Sequence, residues 1–259
     1  MISQDDDFER MDLERQRARF RRVEIDPRER HDRGHVLAVM TCSGREPLFR
    51  RTLQSLELGG YSRWPGPSLV VGDGHVQRPG GSWWLFHTSA RLDHRVGQAR
   101  TFFETLRLAT QFSGFSRLTM FEDDVVVPEN ALDYISSLYY PDDVAMFSWF
   151  HQLAPNPSQS RPVWMIGAAR DHSCNQGITL SAKTVHELLA SQQLKTWREP
   201  HGADMLIGQV MPDALVAHHF PNIVDHVGGD SSLVGNTGDR RSPTFVGESF
   251  DALDLTATP

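Results

Sequence analysis

Lysine is nearly absent from this chain: Lys183 and Lys195 are the only two, so arginine supplies almost all of its positive charge. The planar guanidinium fork suits bidentate grip on phosphate, although genomic base composition produces the same bias. Cysteine is equally scarce. Cys42 and Cys174 fall in different loops, which excludes a disulfide framework or a cysteine metal cluster and leaves two free thiols as the expectation. No apolar run approaches the roughly 20 residues that a membrane helix needs. The opening residues Met1-Ile-Ser-Gln-Asp lack the apolar segment of a secretory signal, so a cytoplasmic protein is expected. An excess of positive charge is also missing. The net charge of −7 argues against coating nucleic acid by charge alone.

What remains is the content of one large α/β domain. The chain has 259 residues, 39% of them hydrophobic, with a mean hydropathy of −0.41, enough for a substantial core. Residues 1–33 are a charged arm, acidic at Asp5-Asp6-Asp7 and then arginine-rich through Arg22. Its charge spacing suits an ion-paired helix or a solvated arm. Residues 34–238 carry the domain, and 239–259 form a tail rich in turn formers.

Within the domain the apolar pattern alternates between strand and helix. Val36-Leu-Ala-Val-Met40 reads as a buried strand, followed by a Cys-Ser-Gly-Arg loop and a helix with Phe49, Leu53 and Leu56 on one face. A second strand ends at Asp73, a third covers Trp83 to Phe86, and Phe102, Leu106 and Ala109 mark another helix. Further strands are expected at residues 144–150, 163–167 and 177–181, with helices after Pro128 and around Val185. Such alternation predicts a mostly parallel sheet flanked by helices, with its loops gathered at the C-terminal edge.

The most informative stretch is Arg117-Leu-Thr-Met-Phe-Glu-Asp-Asp-Val-Val-Val-Pro128, where an apolar strand stops on three carboxylates. A strand ending on Glu122, Asp123 and Asp124 brings clustered oxygens to the rim where open α/β sheets bind ligands. Oxygen clusters suit a hard divalent cation that also holds phosphates. The plainer alternative is a solvated acidic turn.

The order of these elements resembles the GT-A glycosyltransferases, Rossmann-like α/β enzymes that use nucleotide-sugar donors and usually a divalent metal. The resemblance covers about residues 35–236. Phe121-Glu-Asp-Asp124 resembles the family's acidic DXD-like motif, Asn175-Gln-Gly177 its glycine-containing loop, and His201-Gly-Ala-Asp204 its later acidic position. Pro221-Asn-Ile-Val-Asp-His-Val-Gly228 is similar to the C-terminal histidine element of N-acetylglucosaminyltransferase-type members. The chain departs from the pattern in reading Glu-Asp-Asp in place of Asp-x-Asp, and in carrying Asp225 before His226 where a glutamine is usual.

The resemblance implies a role for each position. Asp124 is the direct metal ligand and His226 a second one, with His218 and His219 as fallback; the ion is manganese or magnesium. Glu122 shares the side of Asp124 toward the metal and the donor ribose, and alternation turns Asp123 away to hold the loop. Thr41 and Arg45 meet the base and diphosphate after the first strand, Asp73 reads uracil or ribose, and Arg95, Gly97 and Arg100 form a phosphate contribution. Gly177 belongs to the donor-side loop. Asp204 is the candidate base of an inverting transfer, although a helix N-cap is the plainer explanation of an aspartate there.

The function implied is hexosyl-type transfer from a nucleotide sugar, UDP-linked foremost, to an acceptor hydroxyl on a glycan, lipid-linked sugar, protein, small metabolite or modified DNA base. Two alternatives stand beside it. A nucleotidyltransferase of similar scaffold carries a glycine-rich basic run after its first strand, which Thr41-Cys-Ser-Gly-Arg-Glu matches poorly. A silent carbohydrate- or partner-binding module keeps the acidic loop for structure alone. Trp83-Trp84 and Trp149-Phe150 offer faces for sugar stacking, or for the core.

Overall fold

The computed structural model describes residues 21–23, 34–89, 94–152, 162–172, 175–191, 205–228, 230–231, 235–236 and 241–256. A nine-stranded sheet runs through it, in the order β1-β8-β10-β7-β9-β5-β2-β3-β4. The strands are β1 (Arg21–Val23), β2 (His35–Cys42), β3 (Ser68–Asp73), β4 (Trp84–His87), β5 (Arg117–Glu122), β7 (Val144–Ser148), β8 (Val163–Ala168), β9 (Gly177–Ser181) and β10 (Leu215–Phe220). The sheet is mostly parallel: β1, β2, β3, β4, β5, β7 and β10 point one way, and β8 and β9 oppose them.

The central strand β2 shows why the fold forms. Its run from His35 to Met40 is buried on both faces, as a strand between two parallel neighbours must be. Alternation divides it between two cores. Leu37 and Val39 face Phe49 and Leu56 of α1 (Glu46–Leu58) and Leu132 and Ile135 of α3 (Ala131–Ser137). Val36, Ala38 and Met40 face Phe102 and Leu106 of α2 (His94–Ala109) and Val185 and Leu188 of α4 (Ala182–Ala190). A fifth helix, α5 (Leu206–Val210), adds Leu206 and Ile207 to that second core. No helix among the described residues is long and apolar enough to cross a membrane.

Chain order places a switch point at the C-terminal ends of β2 and β5. From β2 the chain moves through α1 to β3 and β4 on one side, then returns through α2 to β5 on the other. The crevice at such a reversal is the ligand position of open α/β sheets. Three smaller features complete the frame. The two-residue strands β6 (Val125–Val126) and β11 (Asp225–His226) pair antiparallel beyond the sheet edge. Residues 241–256 pack back over α1 and α3: Ala252 N–H donates to the Glu129 carbonyl at 2.9 Å, Glu129 N–H to the Glu248 carbonyl at 3.1 Å, and Ala252 is buried. Of the charged arm the described residues are Arg21–Val23, which join the sheet as an edge strand against β8; the ion-paired helix or solvated arm expected before them lies outside the described residues.

Candidate active site

The β5 strand does not stay extended through its acidic end. Asp123 and Asp124 form a turn between β5 and β6, so the expected alternation, Glu122 with Asp124 and Asp123 opposite, does not hold. Asp123 and Asp124 converge, while Glu122 remains on the strand end, where its Oε1 accepts from Gln98 Nε2 of α2 at 3.1 Å. The turn is clamped from behind by α1. Thr52 Oγ1 donates to the Val125 carbonyl at 2.8 Å and accepts from its N–H at 3.1 Å, and Ser55 holds Val127 in the same way at 3.1 and 2.8 Å.

Both carboxylates meet Arg45, which stands at the head of α1 in the loop after β2. Arg45 Nε donates to Asp123 Oδ1 at 2.8 Å and Oδ2 at 3.1 Å, and Nη2 donates to Asp124 Oδ2. Thr41 Oγ1 donates to Asp123 Oδ2 at 2.7 Å. Asp123 is therefore held on both oxygens. Burial and the adjacent Asp124 push its carboxyl above the usual range, with Arg45 and Thr41 opposing them. For Asp124 burial pushes up as well, but His226 and Arg45 outweigh it and hold the carboxyl below its ordinary value. The two acids share one guanidinium and titrate as a pair.

The β6–β11 ladder brings in the histidine. His226 sits opposite Val125, and its Nε2 lies 3.2 Å from Asp124 Oδ2. The Asp124 carbonyl accepts from Val227 N–H at 2.7 Å. Gly228 then passes so close that a Cβ there would lie 2.7 Å from Asp124 Oδ2, and only glycine leaves that space open.

Two buried atoms in this cluster have no hydrogen-bond partner among the described residues: Asp124 Oδ1 and His226 Nδ1. Among the described residues no group of three or more His, Cys, Asp and Glu converges as a metal cage. Asp225, the departure beside His226, is taken up within the fold: its Oδ1 accepts from the N–H groups of His226 at 3.0 Å and Ser242 at 2.6 Å, and its Oδ2 from Arg241 Nη1 at 3.4 Å. The fit is instead to a two-ligand site. Ligand atoms at right angles around an ion, each about 2.1 Å from it, lie about 3 Å apart, which matches Asp124 and His226. Substrate phosphates and water complete such sites in the usual magnesium pattern.

The remaining candidates fall around this cluster. Asp73 lies one strand over, buried at the end of β3, with Ser43 N–H on its carbonyl at 2.9 Å. Gly97 of α2 faces it, and a Cβ at that position would lie 2.2 Å from Asp73 Oδ2, so glycine there serves the approach of that carboxylate. Arg100 is exposed on the same helix. Arg95 belongs to its first turn, with the side chain outside the described residues, as is the whole of His201-Gly-Ala-Asp204 and Cys174. Gly177 faces the core, where a Cβ would meet Val224 at 2.9 Å and the Phe121 ring at 3.2 Å.

The fallback histidines are committed elsewhere. His219 Nδ1–H donates to the Pro221 carbonyl at 2.7 Å, which fixes the tautomer and leaves Nε2 to accept from Tyr134 Oη at 2.7 Å. Burial lowers its pKa to about 4. His218 is buried against His151 and His172, and burial holds it well below its ordinary value. Of the aromatic pairs, Trp149 and Phe150 are core, Trp83 is buried flat against Tyr61 with centroids 4.3 Å apart, and Trp84 alone of the four is exposed.

Sequence reasoning missed Gly228, Thr52, Ser55 and Gln98 as members of the site. Gly228 lay within the quoted histidine element and was open to discovery as the residue flanking a ligand. Nothing in the local sequence marks the other three.

No family model and no curated protein matches the chain. Three solved structures to which it is similar are glycosyltransferases. The mannosyltransferase PcManGT from Pyrobaculum calidifontis, in complex with GDP-Man and Mn2+, shares 14% identity over 80% of this chain with a TM-score of 0.45, and the chain spans 61% of that protein. A glycosyltransferase involved in glycosylation of the major capsid of PBCV-1 shares 12% over 76% of this chain and 95% of its own, with a TM-score of 0.46. A Drosophila β1,4-galactosyltransferase 7 variant, in complex with manganese, UDP-Gal and xylobiose, shares 10% over 86% and 80%, with a TM-score of 0.43.

Proposed function

We propose that this chain is a metal-dependent glycosyltransferase that moves a hexose from a nucleotide sugar, UDP-linked foremost, to an acceptor hydroxyl with inversion. The observation that carries the reading is Asp124: a buried carboxylate at the switch point, with one oxygen beside His226 and the other without a partner among the described residues. A buried acceptor left open costs about 1–3 kcal/mol, so such an atom is retained where a ligand satisfies it.

Asp124 and His226 hold the cation, manganese or magnesium, which when bound offsets the negative charge of the departing diphosphate. Arg45 presents its guanidinium to the same phosphates, with Thr41 and Asp123 keeping it in place. Asp73 and Gly97 shape the nucleoside side, joined by Arg95 and Arg100, and Glu122 approaches the ribose. Asp204 acts as general base. It takes the proton of the acceptor hydroxyl as that oxygen bonds to the anomeric carbon, while the bond from carbon to the diphosphate oxygen breaks and the nucleotide leaves with its electron pair.

The test is nucleotide release from a panel of UDP-, GDP- and dTDP-sugars, with manganese, with magnesium and with a chelator. The account expects release that stops on chelation and returns with the metal. Silence across the panel under every metal condition, with the protein folded, would leave a binding module in its place.

A further inference from the structure

Arg45 bonds its two acids unequally. Toward Asp123 it uses Nε, bonded to both oxygens at 2.8 and 3.1 Å, and Asp123 is itself pinned by Thr41 at 2.7 Å. Toward Asp124 it uses Nη2 alone, on Oδ2. Its hydrogen bonds all leave from Nε and Nη2, so Nη1 engages neither carboxylate. The Arg45 backbone is fixed, because its carbonyl accepts the Phe49 N–H at 3.0 Å at the start of α1, with a proline in the first helical turn. The Arg45 side chain is 13% exposed. The guanidinium thus has two contacts: Asp123, which Thr41 also pins, and Asp124, reached through Oδ2 alone.

The same contact stands against the metal. A cation bound to Asp124 and His226 lies beside the oxygen that Nη2 occupies, and two positive groups on one buried carboxylate repel in a medium of low dielectric. The diphosphate reverses this balance. Its oxygens offer the guanidinium a bidentate partner, and they complete the coordination of the cation.

We propose that Arg45 is the resident cation of the acidic pair and controls metal uptake: without nucleotide it holds Asp124 and keeps free divalent ions weakly bound, and a nucleotide diphosphate brings the metal in by drawing Nη2 off Asp124 onto phosphate. This rests on the nucleotide-sugar reading of the site. It assigns Asp123 a positioning role as the pivot that keeps Arg45 in place during the exchange, and it predicts that metal and diphosphate bind together and not in sequence.

The experiment is Mn2+ titration of the full chain by electron paramagnetic resonance, with and without UDP, in wild type and Arg45→Gln. The wild type should bind free Mn2+ weakly and gain about 100-fold in Mn2+ affinity when UDP is present. Arg45→Gln should bind free Mn2+ about ten-fold more tightly than wild type and, at saturating Mn2+, bind UDP about ten-fold more weakly. If the single variant does not fold, the pair Arg45→Gln with Asp123→Asn replaces the ion pair by an amide pair and carries the same expectation. Equal free-Mn2+ affinity with and without the guanidinium overturns the control role. A wild type that takes up no UDP at any Mn2+ concentration overturns the nucleotide reading instead, and the free-Mn2+ comparison still decides whether Arg45 withholds Asp124 from metal.

Discussion

Two buried polar regions of this protein lie on neighbouring strands and differ in how they finish their hydrogen bonds. In the sheet centre, His35 Nε2 meets Thr119 Oγ1 at 2.7 Å, Thr119 meets Thr179 at 2.6 Å, and Trp149 Nε1 donates to Thr179 Oγ1 at 2.9 Å. That chain ties β2, β5 and β9 together beneath the aromatic core. At the C-terminal edge, a few residues along the same β5, Asp123 is engaged on both oxygens but Asp124 Oδ1 and His226 Nδ1 have no partner among the described residues. The first arrangement specifies a fold. The second keeps acceptor capacity that no donor among the described residues fills, in the crevice at the C-terminal ends of β2 and β5.

The largest expected effect is on the chemistry the edge is proposed to support. Asp204→Asn keeps size and hydrogen-bonding reach but cannot accept a proton, so transfer should fall by about 100- to 10,000-fold while Mn2+–UDP binding and the melting temperature hold. Turnover near wild type, or a product of retained anomeric configuration by NMR, would remove Asp204 as base.

At the centre the expected effect is smaller and of the opposite kind. Thr179→Val keeps shape but strands Trp149 Nε1 and leaves Thr119 Oγ1 with His35 Nε2 alone, and should cost about 1–3 kcal/mol of stability in urea unfolding with nucleotide affinity unchanged. A variant of native stability and weakened UDP binding would show that the two regions are coupled.

A further test is acid. His219 is buried and neutral, with its pKa lowered to about 4, and burial beside His172 lowers His151 to about 3. Below their ordinary value of 6.5 the unfolded chain binds protons that the folded chain refuses. Stability is therefore complete above that pH and falls as pH drops from 6.5 toward 4, by up to about 1.4 kcal/mol per pH unit for each histidine. His219→Gln should flatten this slope by about one proton. An unchanged slope would mean that His219 does not stay neutral in the fold.

Much of the fold is legible in the sequence because parallel strands buried on both faces write themselves as unbroken apolar runs. Val36 to Met40 is such a run and Leu118 to Phe121 is one interrupted by Thr119, and the carboxylates that end the second are visible in any reading. Other features depend on partners far along the chain. The turn at Asp123-Asp124 replaces strand alternation because Arg45, 78 and 79 residues away, draws both acids to one side. The pairing of His226 with Val125 rests on a ladder of two residues, too short to show a period. Asp225 looks like a spare oxygen ligand until Ser242 folds back onto it. The family resemblance assigns Arg45 to phosphate, while the structure places it on the two acids.

The central claim is that Asp124 exists to bind a metal together with a nucleotide diphosphate. Isothermal titration of UDP into the full chain with saturating Mn2+, in wild type and in Asp124→Asn, tests it most directly. Asparagine preserves shape and leaves Arg45 on its main anchor, Asp123, so the variant should melt within a few degrees of wild type. The account predicts Mn2+-dependent binding in wild type and a loss of about 100-fold or more in the variant. Equal UDP affinity in the two proteins, with the same dependence on Mn2+, would contradict it.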